Sequence, residues 1–271
     1  MTAKYWGMET SPFVARWTPR FFVATPWYDE VSARLDYLLR QNARLGIIAG
    51  ASGTGKSWCA AALHAEQRGN GDRAAVISLA GMESESVLPQ LFRATGVATD
   101  IGPLSWETWA DRLAETAYFG RRTLLICEDI DRTTPKTWTV LSRLIHLESE
   151  LPLGLTILLT TRSMDGNPQF DEFREQATLT MELGVWDSEI VTAVLEQLLA
   201  VVGTLRSPFT QDAVETLVEL SDGNPRRLMR LADLSLVTAA ASELRWVDSE
   251  TIRWVSSQPF TVPSLRSEET T

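Results

Sequence analysis

The octapeptide Gly50-Ala51-Ser52-Gly53-Thr54-Gly55-Lys56-Ser57 constrains this chain more than any other stretch. It fits G-x-x-x-x-G-K-[ST] at every fixed position and follows the apolar run Leu45-Gly46-Ile47-Ile48-Ala49, the setting of a phosphate-binding loop between a strand and a helix. Glycine lets the backbone turn tightly enough to aim several N–H groups at one anion, and the following helix adds the partial positive charge of its N-terminus. Gly50, Ser52, Gly53, Thr54 and Gly55 are therefore expected to cradle phosphates. Lys56 is expected to reach the β- and γ-phosphates of ATP, and the Ser57 hydroxyl to ligate Mg²⁺. The alternative is a plain Gly/Ser turn between a strand and a helix.

A chain of 271 residues holds one large α/β domain or a core domain with a small satellite, and the second is expected here. With 44% apolar and 22% charged residues the composition is that of a globular protein. No apolar run reaches the ~18 residues that span a bilayer, and the N-terminus has no apolar leader, so a cytoplasmic protein is expected. Both cysteines, Cys59 and Cys127, fall in apolar patterns and read as reduced core residues. A formal charge of −10 argues against unassisted DNA binding, although Arg34, Arg40 and Arg44, or Arg226, Arg227 and Arg230, leave room for a local basic patch.

Residues 1–27 read as an irregular aromatic arm that packs on the domain, with covering of a nucleotide base as one role for it. A helix is expected from Tyr28 to about Asn42, feeding the loop strand. After the phosphate loop, strands are expected at Ala74–Leu79, Thr123–Cys127, Leu155–Thr161 and Ala177–Leu183. Helices are expected at Trp58–Arg68, Ser84–Thr95, Ser105–Ala117 and Pro135–Ser149. Alternating strands and helices predict an α/β fold, a parallel sheet sandwiched by helices, over residues 28–186. From Asp187 only helical patterns remain: Ser188–Val202, Thr210–Leu220, Pro225–Ala241 and Asp248–Ser256. They predict a small helical lid domain over residues 187–256, followed by a flexible tail at 257–271.

The strand Leu124–Cys127 runs into Glu128-Asp129-Ile130-Asp131, which supplies the carboxylates that a phosphate-loop ATPase needs. By position Glu128 is the metal-side group and Asp129 the candidate base that orients water. The usual order is Asp then Glu, so the exchange displaces each carboxylate by about one C–C bond and predicts slow hydrolysis. Thr161, at the end of the fourth strand, could sense the γ-phosphate. Arg174 could neutralise transition-state charge in a neighbouring subunit, or form a surface ion pair with Asp171 or Glu175. In Gly223-Asn224-Pro225-Arg226-Arg227, two arginines sit in the first turn of a helix, against its dipole. A bound phosphate or an acidic partner on the protein's own surface would explain them.

These residues resemble an AAA+ ATPase, and more narrowly the general secretion pathway component A (ExeA-type) family of bacterial ATPases. The resemblance covers about residues 5–256. It rests on Tyr5-Trp6-Gly7 with Ser11-Pro12-Phe13, Thr25-Pro26, the phosphate loop, Gly223-Asn224-Pro225-Arg226-Arg227 and Trp246-Val247-Asp248. It implies an AAA+ core with an α-helical lid, Mg-ATP bound at a subunit interface of a homo-oligomer, Arg226 as the lid's sensor arginine, and Arg174 as a trans-acting finger. Glu128-Asp129 departs from the family order, Tyr28 stands where the family often has histidine, and the chain stops short of the membrane span and wall-binding domain of full-length members. The resulting expectation is an ATPase that couples nucleotide state to oligomer or protein-partner remodelling. A nucleotide-gated regulator with little turnover, similar to transposition-regulator ATPases, is the alternative. A small-molecule kinase is disfavoured by the separate helical lid.

Overall fold

The computed structural model describes residues 2–13, 17–96, 104–147, 152–163, 168–204 and 206–258. The helices and strands, in chain order, are α1 (Thr2–Tyr5), α2 (Pro26–Arg40), β1 (Leu45–Ala49), α3 (Lys56–Gly69), β2 (Arg73–Ser78), α4 (Ser84–Thr95), α5 (Trp106–Tyr118), β3 (Thr123–Glu128), α6 (Pro135–Ile145), β4 (Leu155–Thr161), α7 (Pro168–Gln176) and β5 (Leu179–Glu182). Then come α8 (Ser188–Val201), α9 (Gln211–Ser221), α10 (Pro225–Ala241) and α11 (Ser249–Ser257). The chain divides into two compact units, one of residues 16–184 and one formed by 1–15 with 185–271.

In the first unit the five strands order as β2-β3-β4-β1-β5, and every pairing is parallel. The interior strands are apolar on both faces because helices cover both. Strand alternation decides which helix each side chain meets. Leu124, Ile126 and Leu158 turn to the layer that holds Val31 and Leu35 of α2 and Cys59, Ala60 and Leu63 of α3. Leu125, Cys127, Ile157 and Leu159 turn the other way, onto Leu91 of α4, Trp109 and Leu113 of α5 and Leu141 of α6. Trp109 is fully buried, and its indole N–H donates to Thr95 Oγ1 at 3.3 Å.

Side-chain caps mark the helix starts: Thr25, Ser105, Thr134, Asp187, Asn224 and Asp248 each accept from the backbone N–H three residues on. Helix α6 stops at Ile145 with His146 as its C-cap, short of the expected Ser149, which lies outside the described residues. Helix α7 was not expected as an element; Phe170 and Phe173 hold it by packing on Trp138, an anchoring that only tertiary contact creates. Strand β5 is shorter than the expected Ala177–Leu183. Residues 259–271 of the expected tail lie outside the described residues. Both cysteines are buried and free, and burial pushes the Cys59 thiol up to about 12.

The aromatic arm is shared between the units. Residues 2–13 pack on the helical unit: Tyr5 Oη donates to Leu244 O at 2.9 Å, Trp6 Nε1 to Leu236 O at 3.1 Å, and Ser11 Oγ to Asp233 Oδ1 at 2.6 Å. Residues 17–27 pack on the sheet unit, where Trp17 meets Trp58 edge-on at 5.3 Å and Phe22 meets Tyr28 at 4.7 Å. Within the helical unit, α9, α10 and α11 pack together, and Gly223 opens the turn into α10. A Cβ at Gly223 would collide with the Trp186 carbonyl, so only glycine lets the two segments approach so closely.

Trp109→Ala should destabilise the sheet unit by about 3–5 kcal/mol, since it empties the centre of one helix layer and removes the indole N–H from Thr95 Oγ1, which still donates to Leu91 O. Urea unfolding would show a lower midpoint at unchanged slope, and a loss under about 1 kcal/mol would contradict this packing account.

Candidate nucleotide site

The phosphate loop leaves the C-terminal end of β1, between β4 and β5. Gly50 presses against the end of β5: a Cβ there would lie 2.7 Å from Leu183 O and 2.8 Å from Thr54 Oγ1. Thr54 closes the loop from inside, its hydroxyl donating to Ala51 O at 2.9 Å. Gly55, at φ +98°, is the N-cap of α3 and brings no side-chain hydrogen bond to the helix. The first N–H groups of α3 therefore have no side-chain cap and face the loop, a ready anion site. Ser52 and Ser57 are exposed, while Gly50, Gly53 and Thr54 are buried.

Lys56 is buried at the start of α3, and its ammonium donates to Gly50 O at 2.5 Å and Ala51 O at 3.0 Å. The cation thus rests on the loop's own carbonyls, close to where a phosphate would sit. Glu128 shares the strand parity of Leu124 and Ile126, so its side chain faces α3. Burial pushes the Glu128 carboxyl above its ordinary range; a hydrogen bond from Ser57 and the charge of Lys56 oppose that shift, and the charge of Asp129 adds to it. Glu128 Oε1 is buried with no hydrogen-bond partner. An uncompensated buried carboxylate oxygen beside a serine hydroxyl is an all-oxygen donor set, and Mg²⁺ fits it by neutralising the charge that burial penalises.

Asp129 follows the strand in a left-handed backbone conformation, φ +57°, and its N–H donates to Thr160 Oγ1 at 3.2 Å. Asp131 is engaged elsewhere, in an ion pair with Arg162. Thr160, with the parity of Leu158, is the strand-end hydroxyl brought to the carboxylate pair; Thr161 Oγ1 instead donates to Ser163 O at 2.7 Å. The motif reading passes over Thr160, although alternation along β4 picks it out. A cleft of about 310 Å³ opens beside Ser57 and Glu128, walled by Ala61, His64, Val76 and Trp17. Trp17 belongs to the arm, and nothing in its spacing signals that it reaches this cleft.

The two candidate arginines come from other elements. Arg174 sits in α7, half exposed, and pairs with Asp171 at 3.1 Å. Arg226 is exposed in the first turn of α10, in the other compact unit. Its neighbour Arg227 donates to Asp222 Oδ2 at 2.9 Å, an acidic partner on the protein's own surface.

The raised Glu128 carboxyl makes a signed prediction. A group whose folded-state pKa lies above its unfolded value contributes stability below the unfolded value, near 4.5, and loses it as pH rises. Glu128→Gln removes the ionisable group, so the nucleotide-free variant should melt higher than wild type at pH 7, with the gap closing toward pH 4.5. Thermal melts across that range would contradict the burial account if wild type were the more stable at neutral pH.

Residues 39–163 match the AAA domain family. The general secretion pathway protein A of Aeromonas hydrophila is 23% identical over 254 residues, which is 89% of this chain; the chain spans about 45% of that relative's length. Among solved structures, Cdc6p of Pyrobaculum aerophilum superposes with a TM-score of 0.68 at 15% identity, covering 90% of this chain and 69% of that one. The RuvB Holliday junction branch migration motor of Thermotoga maritima does so with a TM-score of 0.59 at 14% identity, covering 90% and 72%. At such identities the structural likeness speaks to the fold, and the loop and carboxylate geometry speak to the site. The chain thus has the P-loop AAA+ fold, carries a match to the AAA domain over residues 39–163, and resembles general secretion pathway protein A in sequence.

Proposed function

We propose that this protein binds Mg-ATP at the phosphate loop and hydrolyses it, coupling nucleotide state to assembly with further copies of itself and to remodelling of a protein partner. The observation that carries the proposal is the buried, unpartnered Glu128 oxygen beside Ser57, at the mouth of a loop whose lysine is already in place. Lys56 would exchange the Gly50 and Ala51 carbonyls for the β- and γ-phosphates. Ser57 and Glu128 would hold Mg²⁺, which supplies charge neutralisation between the phosphates. Asp129 would orient the attacking water and accept its proton as the β–γ bridging P–O bond breaks, while Thr160 fixes the Asp129 backbone and Thr161 ends the same strand. The helical unit would serve as a lid, with Arg226 as its phosphate-facing cation. Arg174 would leave its pair with Asp171 to reach a neighbouring copy's nucleotide. A cytoplasmic setting suits this chemistry, because ATP is there.

A second reading, a nucleotide-gated regulator with little turnover, is favoured by one feature. Asp129 is a short side chain at the position of the base, on a backbone held by Thr160. The excess of acidic over basic residues works against direct DNA binding in either case.

Steady-state phosphate release across protein concentrations, beside ATP binding followed by Trp17–Trp58 emission, separates the readings. Specific activity should rise with concentration. Lys56→Ala should weaken ATP binding at least about tenfold, through loss of a charge-assisted contact. Asp129→Asn should lower turnover by about a hundredfold while ATP still binds. Tight binding with no release above background in wild type would sink the hydrolase claim and leave the regulator.

A further inference from the structure

In a parallel sheet the strand N-termini share the edge opposite the phosphate loop. At that edge α5 ends in two consecutive aromatics, Tyr118 and Phe119, exposed to 82% and 74%. Their rings meet edge to face at 5.7 Å, and Gly120, in the left-handed region, turns the chain away from the helix. The chain then runs through Arg121 and Arg122 into β3. The Arg122 carbonyl accepts from Arg73 N at 2.8 Å, so β2 begins with an arginine whose backbone lies beside that of Arg122. Arg68, exposed at the end of α3, leads into the same turn.

Charge is unbalanced here. Asp72 Oδ1 is engaged by the Arg122 backbone N–H at 2.9 Å, and the guanidinium groups of Arg73, Arg121 and Arg122 meet no carboxylate among the described residues. Elsewhere arginines do find one: Arg112, on the same helix α5, pairs with Glu115 at 2.8 Å. In a chain of net charge −10, a corner whose arginines meet no carboxylate among the described residues, beside two solvent-exposed rings, is not accounted for by the packing of those residues. Tyr, Phe and Arg are the residue types enriched where proteins bind one another, and guanidinium forks match carboxylates bidentately. A long polyanion fits less well, because its affinity grows with the number of phosphates neutralised, and the protein's excess negative charge opposes it.

We propose that Tyr118, Phe119, Arg121, Arg122 and Arg73 form a docking surface for an acidic segment of a partner protein carrying an aromatic or aliphatic side chain between its carboxylates. The rings would cover the apolar side chain, and the arginines would take the flanking carboxylates. This surface does not depend on the nucleotide reading.

Fluorescence anisotropy of a labelled Asp/Glu peptide with a central Phe-Leu pair tests it, beside the same peptide with Asn/Gln in place of the acids and a single-stranded oligothymidylate. Saturable binding of the acidic peptide is expected, weakened at least about tenfold both in Arg121→Glu/Arg122→Glu and in Tyr118→Ser/Phe119→Ser, with unchanged melting temperature. All four substituted side chains lie outside the nucleotide site, so ATP binding serves as the control for folding. The proposal is overturned by binding that survives either double variant, by equal binding of the neutral peptide, by tighter binding of the oligonucleotide, or by no binding. Self-association of wild type that the Tyr118/Phe119 variant abolishes would assign the surface to a second copy and overturn it too.

Discussion

The candidate nucleotide site depends on the parallel arrangement of the sheet. With β1 between β4 and β5, and β3 beside β4, four strand C-termini meet along one edge. The phosphate loop, the Glu128-Asp129 pair and Thr160 come from separate parts of the chain and become neighbours there. Gly50 wedged against Leu183 O shows how closely the loop is fitted to that edge. The helix layers hold the strands in register, so the core and the site are not separable: the alternation that buries Leu124 and Ile126 against α2 and α3 also aims Glu128 at Ser57.

Electrostatics at that edge run against stability. Glu128 is buried with an unpartnered oxygen, and its carboxyl is raised mainly by desolvation. Lys56 rests on the backbone carbonyls of Gly50 and Ala51. A fold selected for stability alone would give the Glu128 oxygen a partner or replace the acid with an apolar side chain. Burying that oxygen costs stability that a cation bound beside it would restore.

The opposite edge has a different character. There the strands begin, the side chains of Tyr118 and Phe119 are left to solvent and to each other, and Arg121 beside them is exposed. The arm shows a related division of labour. It reads in the sequence as one aromatic segment, yet residues 2–13 satisfy hydrogen bonds within the helical unit while Trp17 and Phe22 pack beside α3. Aromatic residues signal that a segment must be buried, but carry no periodicity that says against which surface.

The local code of this sequence was sufficient for the loop, for the alternation of strand and helix, and for the start of most helices, because glycine conformation, side-chain caps and hydrophobic period act over a few residues. The strand Leu155–Thr161 and the helix Pro225–Ala241 end where those signals end. Helix α7 escaped that code because its anchor is the stacking of Phe173 on Trp138, 35 positions earlier by sequence number. The choice of Thr160 over Thr161 as the partner of Asp129, the place of Trp17 beside Ser57 and Glu128, and the meeting of Arg73 with Arg122 were likewise decided only by tertiary structure. Each depends on strand order or on contact between distant segments, and neither is encoded within the span of a motif.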